Sequence, residues 1–271
     1  MRNDFTNKAV LITGGTKGIG LATGLAFARN GAHLYLTHRW SSADEDEVRG
    51  KFAAIGALEP AIIEADVSVD EETDALLEII KKDHDCIEVF ISNVSVVQPA
   101  SGVESYRKRS MLKSIEYSAW PFVSYLQHMK KAFAKLPRYV VGLSSDGADN
   151  YFAHYEYVST SKIVMETLCR YLTYHLRDED IRLNILRTRN VLTDAVDEIF
   201  GPNYVKFMAE RAGEEYFLYP EEIGNAVLAL CSGMLDALNG QMILVDKGMA
   251  FADTVSRTLE NELEKKTEQD Q

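Results

Sequence analysis

The sequence predicts a single doubly wound α/β domain, a parallel sheet of about seven strands with helices on both faces. Two observations predict it. Short apolar runs alternate with amphipathic stretches over nearly the whole chain, the pattern of strand–helix–strand crossovers. The first apolar run also passes directly into a glycine-rich turn that opens a helix, as in a ligand-binding βαβ unit. At 271 residues, with 46% hydrophobic and 26% charged side chains, the chain suits one large domain or two small ones.

Lys8–Ile12 reads as the first strand, and Leu21–Ala28 as a helix that stops at Asn30-Gly31, a natural C-terminal cap. Strands follow at 32–37, 61–65 and 86–92, with an amphipathic helix at 70–82 carrying Ala75, Leu76, Ile79 and Ile80 on one face. Residues 111–133 read as a long helix in which Pro121 marks a kink or a break. Then come a strand at 139–143, a helix at 158–176, a strand at 181–186, a helix at 221–231 and a last strand at 241–245. We expect one dinucleotide-binding and catalytic domain over 1–252 and a charged tail over 253–271, read as a solvated or frayed helix. The segment 193–219, with Gly201-Pro202 and scattered aromatics, is too long for an ordinary loop. It follows a strand end, where doubly wound sheets bind ligands, so it is the candidate substrate lid.

Charge and cysteine usage exclude several classes. The net charge of −12, from 29 basic and 41 acidic residues, disfavours nonspecific nucleic-acid binding. Cys86, Cys169 and Cys231 are widely separated, so they read as buried thiols, not as a disulfide framework or a metal site. No apolar run reaches membrane-span length, and the start lacks the apolar core of a signal peptide. A cytoplasmic protein is the expectation.

Thr13-Gly14-Gly15-Thr16-Lys17-Gly18-Ile19-Gly20 lies between the first strand and first helix. Glycines there let a pyrophosphate approach the backbone, and the helix N-terminus attracts its charge. The octet resembles the TGxxxGIG motif of the short-chain dehydrogenase/reductase family. That resemblance covers roughly Lys8 to Phe251 and implies a Rossmann-type nicotinamide site. The second strand ends Thr37-His38-Arg39 without the carboxylate that holds the ribose of NAD. Lys17 and Arg39 are instead placed to grip a 2′-phosphate, Arg39 with a fork that matches phosphate geometry. NADPH is the expected cofactor. By resemblance, Asp66 and Val67 receive the adenine. Asn93, in Ser92-Asn93-Val94-Ser95, is what survives of the family's NNAG. Val191 and Thr193 match its nicotinamide-binding positions.

The chemistry is expected around Lys162. Most family members carry a tyrosine four residues before the lysine, where this chain has Val158. Tyr157, five residues back, lies about 140° away around a helix. Tyr155, seven back, returns within about 20° of the lysine's face, ~10.5 Å along the axis if the helix extends that far. The spacing Tyr-x6-Lys resembles the enoyl-acyl-carrier-protein reductase branch. That resemblance implies NADPH-dependent reduction of an α,β-unsaturated acyl thioester, in fatty-acid or specialised-metabolite synthesis. Tyr155 would stabilise the enolate. Lys162 would bind the nicotinamide ribose and favour ionisation of the tyrosine. Ser145 stands at the family's catalytic serine position, with Ser144 as the alternative, and Glu116 lies near the position of the family's asparagine. Arg187 and Arg189 replace the usual Pro-Gly turn, placed to meet substrate or carrier phosphate. The alternatives are a carbonyl (3-ketoacyl) reductase and a nucleotide-binding member without catalysis. Expected partners are an acyl carrier protein or coenzyme A thioester, the former docking on Arg107-Lys108-Arg109 and Lys113 or on Lys130, Lys131 and Lys135. A dimer or tetramer through the long helices is also implied.

Overall fold

The computed structural model describes residues 4–40, 42–100, 102–193, 196, 201 and 203–269. The strands are β1 (Ala9–Ile12), β2 (His33–His38), β3 (Ala61–Glu64), β4 (Val89–Ser92), β5 (Tyr139–Ser145), β6 (Arg182–Thr188) and β7 (Met242–Val245). They form one sheet in the order β3-β2-β1-β4-β5-β6-β7, with every pairing parallel. The helices are α1 (Gly18–Ala28), α2 (Glu45–Ala54), α3 (Asp70–Ile80), α4 (Lys108–Ser118), α5 (Pro121–Phe133), α6 (Glu156–His175), α7 (Tyr204–Ala212), α8 (Pro220–Leu230) and α9 (Thr254–Gln269).

Side chains of a strand alternate between faces, and here both faces are apolar. Val10 and Ile12 of β1, Leu34 and Leu36 of β2 and Val89 and Ile91 of β4 pack under α1, α2 and α8. Leu11, Tyr35 and Phe90, from the same strands, pack with α3, α5 and α6 on the other face. Gly224 brings α8 close to α1, since a Cβ there would stand 2.8 Å from the Ala22 carbonyl. Burial on both faces explains why the strands read as continuous apolar runs.

Three features of these elements have local causes. Pro121 marks a break, one of the two expected outcomes: α4 ends at Ser118, and Pro121 occupies the first turn of α5, where its missing N–H costs nothing. Helix α2 escapes the periodicity because only Val48 and Phe52 are buried; its mark is Asp44, whose side chain accepts from the Glu47 N–H. The segment 193–219 contains α7, which packs with Tyr216 and Phe217 in a small core of its own. Its ends are tied at Val191–Leu218, where Leu192 N–H donates to the Leu218 carbonyl at 2.8 Å. Within it residues 194, 195, 197–200 and 202, and in the tail residues 270 and 271, lie outside the described residues. The tail is helical, and Arg257 docks it on the Ala212 carbonyl and Glu215. Among the described residues no helix is long and apolar enough to cross a membrane, and no cluster of side chains could hold a metal ion.

Candidate active site

In an open parallel sheet the ligand crevice lies beyond the strand C-termini where the strand order reverses, here between β1 and β4. The glycine turn emerges from β1 at this point. Gly14 and Gly18 have φ of 63° and 53°, a backbone region that favours glycine. A Cβ on Gly20 would stand 2.3 Å from the Gly14 carbonyl, so only glycine lets the helix start so close to the turn. Gly15 N–H donates to the Thr37 carbonyl at 3.0 Å. The Asn93 amide donates to the Thr13 and Gly14 carbonyls, each at 3.0 Å. Asn93 thus pins the turn from β4. The result is a bare backbone cradle at a helix N-terminus, which fits a dinucleotide pyrophosphate.

At the far end of the cradle, Arg39 pairs with Asp66 at 3.0 Å. Its guanidinium lies 3.4 Å from the Trp40 ring centroid and 4.5 Å from that of Tyr117. Tyr117 hydroxyl also donates to Asp66. Two residues assigned to opposite parts of an adenosine are therefore partners of each other. Asp66 is held below the ordinary carboxylate range: burial opposes this, but bonds from Ser68 and Arg39 outweigh it. Val67 is buried beside them. Lys17 is exposed at the N-cap of α1. His38 is buried, its Nε2 3.5 Å from Glu45.

The reacting end is a cavity of about 200 Å³. It joins Ile19, Asn93, Val191 and Thr193 from the nicotinamide side to Ser145, Tyr155 and Lys162. Tyr155 stands at the N-cap of α6, so the helix stops just short of it while its side chain still reaches the cavity. Its hydroxyl bonds to Ser145. Ser144 donates to Glu166 at 2.7 Å, so of the two candidate serines Ser145 is the one bonded to Tyr155. Tyr157 is buried and accepts from the Arg107 N–H; it holds the start of α4 and takes no part in the cavity. Val158, fully apolar, lines the cavity one turn before Lys162.

Lys162 is buried, and its Nζ donates to the Leu143 carbonyl at 2.8 Å. Burial pulls its pKa down to about 8, against the opposing charge of Glu166 one turn further along α6. The Tyr155 hydroxyl is pushed up by burial and by Asp146, with the Ser145 bond acting against them. Burial, Ser145 and Asp146 are the influences on this hydroxyl, and the charge of Lys162 is not among them.

One expectation is corrected. Arg187 and Arg189 are engaged inside the protein. Arg187 binds Glu166 through Nε at 2.8 Å and through Nη2, and also pairs with Asp149. Arg189 pairs with Asp146 at 2.9 Å. A buried guanidinium requires such a partner, and neither arginine is free for a carrier phosphate. Glu116 is exposed on α4, in a shallow groove with Lys113 and Tyr117, and does not line the reacting cavity. The residues missed in the sequence are Glu166, Asp146 and Asn190. Glu166 had a readable mark, four residues beyond Lys162 and hence on the same helix face.

A glycine cradle at the switch point, with a buried lysine and a tyrosine hydroxyl sharing the next cavity, defines a nicotinamide-dependent oxidoreductase of the short-chain dehydrogenase/reductase type. The family model described as enoyl-(acyl carrier protein) reductase matches residues 14–250, and the chain belongs to that family. It is 24% identical over 266 residues to an enoyl-[acyl-carrier-protein] reductase [NADH] of Aquifex aeolicus, covering 95% of this chain and 96% of that protein. It is 25% identical over 258 residues to 3beta-hydroxysteroid dehydrogenase 1 of Eggerthella lenta, covering 93% and 97%. Among solved structures, L-sorbose reductase from Gluconobacter frateurii, complexed with NADPH and L-sorbose, superposes with a TM-score of 0.79 at 20% identity, covering 92% and 98%.

Proposed function

We propose that this protein uses NADPH to reduce the carbon–carbon double bond of an α,β-unsaturated acyl thioester, carried on coenzyme A or an acyl carrier protein. The observation that carries this reading is Val158. The position one turn before Lys162 faces the cavity but has no proton to give, while Tyr155 offers its hydroxyl from the start of α6.

The cofactor supplies a hydride to the β-carbon of the substrate. Negative charge then develops on the thioester oxygen, remote from that carbon. Tyr155 stabilises it as a hydrogen-bond donor placed where the charge appears, with Ser145 orienting the hydroxyl, and the enolate then takes a proton from solvent on its α-carbon to complete the reduction. Lys162 holds the nicotinamide ribose, and Gly14, Thr16, Lys17, Gly18, Ile19 and Gly20 cradle the pyrophosphate. Arg39 at the end of β2 supports NADPH over NADH, since a guanidinium suits a phosphate and would leave a ribose hydroxyl without a strong acceptor. Docking of a carrier on the cations of α4, and association of subunits through α4, α5 and α6, belong to the same proposal.

The test is NADPH consumption on matched enoyl and 3-ketoacyl thioesters. Turnover of the enoyl substrate is expected, with Tyr155→Phe lowering kcat by roughly 10²–10³-fold. Turnover of the ketoacyl substrate alone would support a carbonyl reductase, the chemistry suggested by the hydroxysteroid dehydrogenase relatives. NADPH binding with no turnover on either, unchanged by Tyr155→Phe, would support a non-catalytic role. For the cofactor, Arg39→Ala is expected to raise the KM for NADPH at least about tenfold and leave that for NADH little changed.

A further inference from the structure

One wall of the reacting cavity is charged. Asp146 and Arg189 both line it, paired at 2.9 Å, with side chains only 3% and 10% exposed. Asn150 donates a further bond to Asp146 at 3.1 Å, and the guanidinium lies 5.7 Å from the Phe152 ring. A cavity shaped for a plain alkyl chain would line this wall with apolar side chains, because burying a charge pair costs more than burying its hydrophobic isosteres. The same wall also holds two buried N–H donors with no acceptor among the described residues, Nε of Arg189, whose guanidinium also bonds Tyr216, and Nδ2 of Asn190. Buried donors in native proteins are nearly always paired, and a site built around such donors discriminates strongly for a ligand that completes them.

We propose that Arg189, Asp146 and Asn190 make this cavity selective for a short acyl chain bearing a neutral oxygen, a hydroxyl or a ketone, beyond the reacting carbons. The inference rests on the reading of this cavity as the site of acyl reduction. The oxygen is neutral because Asp146 already balances Arg189; a carboxylate would have to displace it. The chain is short because the whole cavity is about 200 Å³, below the ~300–1,000 Å³ of ordinary ligand sites, and the nicotinamide takes part of it.

The experiment compares 2-hexenoyl thioester with its 5-hydroxy, 5-oxo and ω-carboxylate counterparts, using the full chain and NADPH. A matched 3-ketohexanoyl set with the same distal groups runs beside it. The saturated thioesters are titrated calorimetrically into the protein–NADP⁺ complex, so that a ratio exists even without turnover. A neutral distal oxygen is expected to raise kcat/KM, or affinity, at least about tenfold over the plain chain. In the double variant Asp146→Asn/Arg189→Met, which removes both charges together and strands neither, that ratio is expected to fall to about one. The proposal is overturned if the plain or the ω-carboxylate chain is preferred, or if the double variant keeps the wild-type ratio. Turnover of the keto set alone would refute enoyl reduction, while the ratio within that set still decides the distal oxygen.

Discussion

Lys162 is a buried cation on the wall of the reacting cavity, and the cost of burying it is measurable. The residue is 4% exposed, and its pKa falls from 10.5 to about 8. At 1.36 kcal/mol per unit, carrying the charge at neutral pH costs the fold about 3 kcal/mol. Replacement by methionine, of similar volume, removes that cost but leaves the Leu143 carbonyl without its donor, a loss of about 1 kcal/mol. Lys162→Met is therefore expected to be more stable than wild type by about 2 kcal/mol at pH 7, while losing NADPH binding. The pH dependence carries the sign. Below pH 8 the folded and unfolded chains both hold the proton, so the full cost is present. Between pH 8 and 10.5 the folded chain releases it and the unfolded chain retains it, so wild-type stability climbs towards and then past that of the variant. Urea denaturation of both proteins from pH 7 to 10.5 measures the difference and cancels the titration of the other groups. A variant less stable than wild type at pH 7, or a difference independent of pH, would refute the reasoning. If Lys162 acts as a cation, NADPH affinity should also weaken as the pH rises through 8, which a binding titration reads directly.

Two other substitutions probe separate parts of the site. A Cβ on Gly147 would stand 2.6 Å from Cε1 and 2.7 Å from Cδ1 of Tyr155, and a ring cannot yield as a flexible chain end can. Gly147→Ala is expected to move the hydroxyl and lower kcat by roughly 10²-fold, with NADPH affinity unchanged in a fluorescence titration. Glu166→Ala leaves Arg187 with Asp149 alone and Ser144 without its acceptor, and should cost about 3 kcal/mol in a denaturant melt. Glu166→Gln, which keeps an acceptor for Ser144, should cost clearly less.

The division between what was legible and what was not follows chain locality. The order of strands and helices, the glycine cradle and the preference for Tyr155 over Tyr157 were readable, because each depends on residues within a turn or two of one another. Val158 is the clearest case: one missing hydroxyl at one spacing excluded the family's common arrangement, and the cavity bears out its position. Glu116 shows the limit. Its place along α4 was readable, but packing decided that it faces the exposed groove with Lys113 and not the cavity.

The arginines after β6 show the same limit from the other side. By sequence they were unpartnered cations beside the cofactor, fit for a phosphate. Their partners come from β5, α6 and the turn between them, and meet them only because β5 pairs with β6 in the register Ser144 to Arg187 and Ser145 to Thr188. Local pattern by itself determined the glycine cradle and picked out Tyr155 and Lys162 as the pair beside it. The tertiary structure alone decided that Arg187 steadies Glu166 one turn beyond the lysine, and that Arg189 with Asp146 forms a charged wall of the cavity. A buried charge is placed by the partner it must find, and that partner is chosen by the fold.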